Sequence, residues 1–147
     1  MSVVNEVNSV GDFVKSVFPT VNVVKQTVPT APKPNTFVVR VLHDQRSTET
    51  LYSMLVERDY QVVYFGTDAV DVLTKMDDFS RKTMNSNIMI PITDSLRYIR
   101  VEGFNFSQPF KTEGNVDACI GVLQTQVREA RDQATYDKIM HVYNNVQ

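Results

Sequence analysis

Apolar and polar positions repeat along the chain with two different periods, and each change of period marks a predicted element. In residues 2–18 the apolar positions are spaced by three or four, which predicts an amphipathic helix. The stripe consists of Val3, Val7, Val10, Val14 and Val17. Valine has a low helix propensity, so packing against the rest of the domain has to hold this helix. Pro19 is well placed to end it.

A short strand and a proline-rich segment follow this helix. The valine-rich run from Val21 to Gln26 favours a strand. Residues 28–35 (VPTAPKPN) carry three prolines within six residues, which excludes a helix or a central strand. Only about thirty residues come before this segment, too few for a core of their own. We therefore interpret residues 28–35 as an extended connector or arm within one domain, residues 1–147.

Between residues 35 and 66 the period is two, as in strands that are buried on one face. Three runs alternate in this way, at residues 37–42, 49–56 and 60–66. The charged triplet Glu57-Arg58-Asp59 separates the second run from the third, and we interpret it as the turn of a hairpin. This part of the chain is therefore predicted to form a three-stranded meander.

The second half of the chain predicts two more helices and a long hairpin. Thr67 or Asp68 caps a helix with apolar positions at helical spacing, namely Ala69, Val72, Leu73, Met76 and Phe79. The hairpin pairs a strand starting near residue 96 with a strand at residues 116–127. Gly103 is predicted to form a β-bulge, because the apolar parity shifts there. Residues 132–146 close the chain as a third helix.

The element order favours an α+β fold. Neighbouring strands joined by short turns form a mainly antiparallel sheet, here a meander plus a long hairpin. The N-terminal, central and C-terminal helices are predicted to flank it.

Composition and net charge argue against several classes of function. The chain has 147 residues and a formal net charge of −2, so the basic excess of a dedicated nucleic-acid or membrane-surface binder is missing. The first twenty residues do not resemble a signal peptide, and no apolar run reaches the 18 or so residues of a membrane span. We expect a soluble protein made in a reducing cytoplasm.

The sequence offers little material for catalysis. It has one cysteine, Cys119, and two histidines, His43 and His141, and it lacks the phosphate-binding and nucleophile motifs of common enzymes. His43-Asp44 could belong to a metal site, but too few ligands accompany it, and a polar pair at a strand end is the better interpretation. Cys119 is expected to be a small buried residue. We expect no enzyme, cofactor or metal.

Basic and aromatic residues alternate in residues 97–106, RYIRVEGFNF, without the residue order of RNA-binding strands. Phe104, Phe106 and Phe110 are predicted to share one face near the hairpin tip. Two interpretations stay open for them: they belong to the core, or they anchor a neighbouring subunit.

The whole pattern resembles the tail terminator, or tail-completion, proteins of tailed bacteriophages. The resemblance rests on the N-terminal helix, the proline-rich connector before FVVRVL (37–42), YQVVYFG (60–66), the central helix and the hairpin IRVEGFNF…VDACIGVLQTQVRE. It covers nearly the whole chain through element order and character, without a specific signature motif.

The resemblance implies a structural virion protein. Such subunits form a ring, usually a hexamer, that caps the head-proximal end of the tail tube, stops its growth and joins it to the neck proteins of the head. DNA passes through the lumen as cargo, and a mildly acidic lining would not retain it. Assembly would take place in the host cytoplasm. A long proline-rich arm could reach an adjacent subunit.

Candidate contacts between subunits, or with the tube, follow from these expectations. They are Glu57, Arg58, Asp59, Arg97, Arg100, Phe104, Phe106 and Phe110. The alternatives are another head–tail connector protein, or a small non-catalytic ligand-binding α+β domain.

Overall fold

The computed structural model describes residues 3–85, 89–112 and 114–131, and within them an α+β fold. The helices are α1 (Val3–Val17) and α2 (Ala69–Asn85). The strands are β1 (Asn22–Lys25), β2 (Thr36–Thr48), β3 (Ser53–Gly66), β4 (Met89–Pro91), β5 (Tyr98–Phe106), β6 (Phe110–Lys111) and β7 (Asp117–Ala130). The predicted helix at residues 132–146 lies outside the described residues.

The strands form one curled sheet in the order β1-β2-β3-β7-β5-β4, with β6 also pairing with β7. All pairs are antiparallel except β1 with β2, which are parallel. The predicted α+β class and the mainly antiparallel sheet are therefore confirmed.

The proline-rich connector joins two neighbouring parallel strands, β1 and β2. Parallel neighbours cannot be joined by a tight turn, so residues 26–35 return the chain from the end of β1 to the start of β2. Its ends are tied to the sheet: the Asn22 amide donates to the Asn35 carbonyl at 3.0 Å, and the Gln26 amide donates to the Val39 carbonyl at 2.7 Å.

Each helix buries part of its predicted apolar stripe against one face of the sheet, whereas Val3 of α1 and Ala69 and Leu73 of α2 are exposed. Val10 and Val14 of α1 are fully buried, as the valine spacing predicts. In α2, Val72, Met76 and Phe79 are fully buried too. The Asp68 carboxylate accepts a hydrogen bond from the Asp71 amide at 2.7 Å, which confirms the predicted N-cap. The other face carries a smaller apolar cluster at one end of the sheet, formed by Val38, Val63, Phe65, Val116 and Ala118.

The three-stranded meander is wrong, because Glu57-Arg58-Asp59 lies in the middle of β3 and is not a turn. Gln45, Asp44 and His43 of β2 pair with these residues in continuous antiparallel register. The turn falls at residues 49–52, where the Glu49 and Thr50 amides donate to the Ser53 carbonyl at 3.3 and 3.0 Å. The charged triplet fits a strand because Arg58 finds a buried partner, which is described below.

Two β-bulges adjust the register of the sheet. The predicted bulge at Gly103 is confirmed, since the β5–β7 pairing shifts between Val101 and Gly103. It keeps Val101 and Phe104 on the helix-facing side. A second bulge lies between Val41 and His43 of β2, and the sequence analysis missed it.

Candidate interaction surfaces

A buried ion pair joins α1 to the centre of the sheet. The Arg58 guanidinium contacts the Glu6 carboxylate, and both side chains are almost completely inaccessible to solvent. Asp44 lies at the rim of this pair, with its Oδ1 3.6 Å from the Arg58 Nε. Arg58 is therefore an interior residue of the isolated chain. Glu6 was missed by the sequence analysis, although its position three residues after Val3 and four before Val10 places it on the helical stripe.

Burial determines the protonation of this cluster. It raises the pKa of the Glu6 carboxyl, and the adjacent Arg58 guanidinium opposes that rise. Burial also raises the pKa of Tyr60 to about 12. The Tyr60 hydroxyl has no full hydrogen bond, so Tyr60 acts here as a large neutral core side chain.

A polar surface lies on the sheet face opposite the helices, across β2, β3, β7 and β5. It surrounds a shallow depression of about 350 Å³. We call it the polar face and define it by the side chains of His43, Gln45, Glu57, Asp59, Glu102, Gln124 and Gln126. Alternation along β3 sends Glu57 and Asp59 to this side while Arg58 points to the helices. Glu57 and Asp59, predicted to lie in a hairpin turn, instead lie in the middle of β3 and belong to the same surface.

Arg97 and Arg100 lie at the opposite edge of the sheet from β2. Arg100 forms an exposed ion pair with Glu102, its Nε 3.1 Å from the Oε1. Between the two arginines the chain exposes Tyr98, and beside them Leu96 is 99% exposed. With the half-exposed Met89, which pairs with Arg100 across β4 and β5, these residues form what we call the β4–β5 end.

The three candidate phenylalanines have different surroundings. Phe104 is partly buried, and its ring centroid lies 5.1 Å from that of Phe79 in the core. Phe106 packs beside it at 6.1 Å. Phe110, in β6, is 43% exposed. Of these three residues, Phe110 is thus the one whose ring is available to a partner.

The tip of the β2–β3 hairpin exposes two large apolar side chains that the sequence analysis did not select. Leu51 is 78% and Tyr52 69% exposed. An ion pair at the base of the tip, with the Arg128 Nε 2.7 Å from the Glu49 Oε1, joins it to β7. The sequence predicts the hairpin turn at residues 57–59 and a strand at residues 49–56. It therefore does not indicate an exposed hairpin tip at Leu51 and Tyr52.

Groups that could perform chemistry do not converge in the described part of the chain. No cluster of three or more His, Cys, Asp and Glu side chains is arranged there to hold a metal. His43 and Asp44 are neighbours in a strand, so their side chains point to opposite faces. Burial raises the pKa of the Cys119 thiol, which disfavours the reactive thiolate. In the same residues, neither helix is long and apolar enough to span a membrane.

The described residues form a small α+β fold with a polar sheet face and several exposed apolar side chains. No protein-family model matches the chain, and no curated protein matches it. A solved structure without a functional name is similar over 87% of this chain and 92% of its own length, with 12% identity and a TM-score of 0.47. A similarity of this size carries no functional conclusion.

Proposed function

We propose that the protein is a structural subunit of a bacteriophage virion, which forms a ring at the head-proximal end of the tail tube. The ring stops tube growth and joins the tail to the neck proteins of the head. The resemblance described above motivates this proposal, and the polar face is the observation that supports it most directly.

The polar face suits a lining past which DNA moves without binding. Proteins bind DNA strongly when lysines and arginines neutralise its phosphates. Here the surface presents three carboxylates, from Glu57, Asp59 and Glu102, among side-chain amides. Arg100 at its border is already paired with Glu102. The phosphates of DNA would therefore be repelled or bound only weakly along this face. We assign the polar face to the lumen.

The β4–β5 end is the surface that we assign to protein contacts in the ring or with the tube. Leu96 is fully exposed, and the same end exposes Tyr98 and carries Arg97 and Arg100; aromatic and arginine side chains are common at protein interfaces. Tail tube protein, a second subunit and a head-neck protein are the partners implied by the proposal. Assembly would take place in the host cytoplasm.

Tail assembly tests the proposal. Particles made without this protein should carry overlong or headless tails, as seen by negative-stain electron microscopy. With the protein present, negative-stain images of isolated tubes should show a ring of six subunits, near six times 16.8 kDa, at the tube end. Tails of normal length joined to heads in the absence of the protein would refute it.

A pair of substitutions tests the β4–β5 end. Leu96→Ser with Tyr98→Ser should abolish ring formation and leave the circular dichroism spectrum unchanged. Val70→Ser with Leu73→Ser is the matched control, because both residues are exposed on α2 away from this end. If the two double variants assemble equally well, the β4–β5 end is not the contact.

A groove between α1 and β4 favours one alternative, a ligand-binding domain. It has a volume of about 540 Å³ and is lined by apolar and polar side chains, among them Phe13, Ile90, Ser9 and Asp12. A monomer whose melting temperature rises with a small-molecule library member, and tails unaffected by its loss, would favour this alternative.

A further inference from the structure

One edge of the sheet is open along half of β2. β1 pairs with β2 only at residues 36–39. The Gln26 side chain accepts a hydrogen bond from the Val41 amide at 3.3 Å, and beyond it no described strand lies beside residues 42–48 on that side. This open segment contains no proline, and its sequence is LHDQRST. An open edge of this length can accept another strand.

The register identifies the main-chain groups that face the open edge. The Thr125 hydroxyl of β7 donates to the Arg58 carbonyl at 2.8 Å, so the main chain of Arg58 faces β7. Asp44 stands directly opposite Arg58, and its main chain therefore faces away from β3. With the two-residue repeat of a strand, the same holds for Arg46 and Thr48.

We propose that two copies of this chain pair through this edge, β2 against β2, antiparallel about a twofold axis at Gln45. Within each chain Arg46 and Asp44 form an ion pair, with the Arg46 Nη1 2.9 Å from the Asp44 Oδ2. In this register the two ion pairs meet: Asp44 lies opposite Arg46 of the second copy, and Arg46 lies opposite its Asp44, so that charges of opposite sign alternate. All four residues exchange main-chain hydrogen bonds, and their side chains share the helix-facing side of the joined sheet. Opposite charges at directly paired positions stabilise antiparallel strands.

Repulsion between like charges disfavours the two neighbouring registers of the β2–β2 pairing. Moving the axis to Asp44 places the two Asp44 carboxylates opposite each other, and moving it to Arg46 does the same with two guanidinium groups. Like charges at directly opposed positions are destabilising. Pairing of β2 with β5 of a second copy is less favourable too, because Asp44 or Arg46 would face an apolar partner such as Val101 on the helix side.

The same register brings an apolar tip to an apolar groove. Past Thr48, β2 of the second copy leads to its exposed Leu51 and Tyr52, which arrive at the Val41 end of the open edge. A groove of about 630 Å³ lies there, mostly apolar, between the start of α1 and β2. It is lined by Val3, Val4, Val7, Asn8, Lys25, Gln26, Val41 and Asp44. A second copy of this chain therefore fits the open edge of β2 in backbone pairing and in charge, and its hairpin tip fits the groove.

This dimer is a form of the free protein, and it does not depend on the proposed ring. A twofold contact through β2 leaves the β4–β5 end uncovered. Failure of the dimer would leave the ring proposal intact, and normal tails without the protein would leave the dimer intact, because one is measured by solution mass and the other by tail assembly.

Charge exchange tests the pairing. The wild-type protein should have twice 16.8 kDa by light scattering at micromolar concentration. Arg46→Asp, and separately Asp44→Arg, should raise the dimer dissociation constant roughly tenfold or more, because each sets like charges opposite each other. An equimolar mixture of these two variants should dimerise again, and so should the single chain with both changes. A monomeric wild type, or a mixture that stays as weak as its components, overturns the proposal.

A cross-link tests the axis independently. Opposed residues of a non-hydrogen-bonded antiparallel pair have Cα atoms about 4.5 Å apart, within the range of a disulfide. Gln45→Cys should therefore form a covalent dimer on oxidation. Ser47→Cys is the matched control on the same face and edge, because its Cα atoms would be about 13 Å apart across the axis. Cys119 is buried and does not interfere. Equal cross-linking of both variants contradicts the register, as does none in either.

Discussion

At the scale of single residues, the docking of α1 depends on the buried Glu6–Arg58 pair. Arg58→Ala should lower the free energy of unfolding by about 3–5 kcal/mol, because it leaves the Glu6 carboxylate buried without its partner. Arg128→Ala is the control: its ion pair with Glu49 is exposed and screened by water, so we expect a much smaller loss than for Arg58→Ala. Urea denaturation followed by circular dichroism measures both.

The double variant Glu6→Leu with Arg58→Met separates lost charge from lost packing. It removes both charges and keeps much of the apolar volume, so it should recover most of the stability lost in Arg58→Ala. A double variant as unstable as Arg58→Ala would mean that packing at this site, rather than an unpaired charge, causes the loss.

The raised pKa of Tyr60 predicts that the stability of the fold decreases at alkaline pH. Its pKa is raised to about 12 in the folded chain and is about 10 when unfolded. Below pH 10 both states keep the proton, and between about pH 10 and 12 the unfolded chain loses it first, so stability falls as the pH rises. Tyr60→Phe should change stability by less than about 1 kcal/mol at pH 7, since the hydroxyl lacks a full hydrogen bond.

The measurement compares urea midpoints of the two proteins at pH 7 and pH 11. Relative to neutral pH, Tyr60→Phe should gain stability over the wild type at pH 11 by about 1 kcal/mol, since pH 11 lies one unit above the unfolded-state pKa. The pKa of Tyr64 is also raised, but Tyr64 is present in both proteins and does not contribute to the difference. Parallel pH curves would contradict the assignment.

At the scale of elements, the sequence predicts what local periodicity determines. The valine stripe predicted α1, and the parity change predicted the bulge at Gly103. The register of β2 with β3 was not predictable in this way, because a charged triplet normally indicates a turn. It lies inside a strand here because Glu6, about fifty residues earlier, supplies a buried partner for Arg58. The polar face was missed for the same reason: its residues meet only through the strand register.

Gly121 shows how closely β7 and β5 pack. A Cβ atom there would lie 2.5 Å from the Phe104 Cζ and 3.2 Å from the Val62 carbonyl oxygen. The Phe104 ring packs on Phe79 and cannot move freely. Gly121→Ala should therefore lower the free energy of unfolding by about 1–3 kcal/mol, the usual cost of overpacking. Thermal denaturation checks this.

Gly114 provides the matched control for Gly121. A Cβ at Gly114 would have its nearest neighbour at 4.0 Å, so Gly114→Ala should be close to neutral. Combining Gly121→Ala with Phe104→Leu should cost less than the sum of the two single changes, because they share one contact. Strict additivity would show that the ring of Phe104 is not what the new methyl group meets.

At the scale of the whole molecule, the distribution of charge matters more than its total. Glu57→Lys with Asp59→Lys changes the net charge from −2 to +2, as two reversals add +4. Asp77→Lys with Asp78→Lys on α2 changes it by the same amount away from the polar face. If the polar face lines a lumen, the first variant should form particles that release their DNA slowly, because lysines would bind passing phosphates.

Salt distinguishes this effect from a general assembly defect. Release from the polar-face variant should quicken as ionic strength rises, because screening weakens phosphate contacts. The α2 variant should release DNA like the wild type at every salt concentration, although its net charge is equal. Equal release by all three particles would place the polar face away from the DNA, and equal slowing by both variants would assign the effect to total charge.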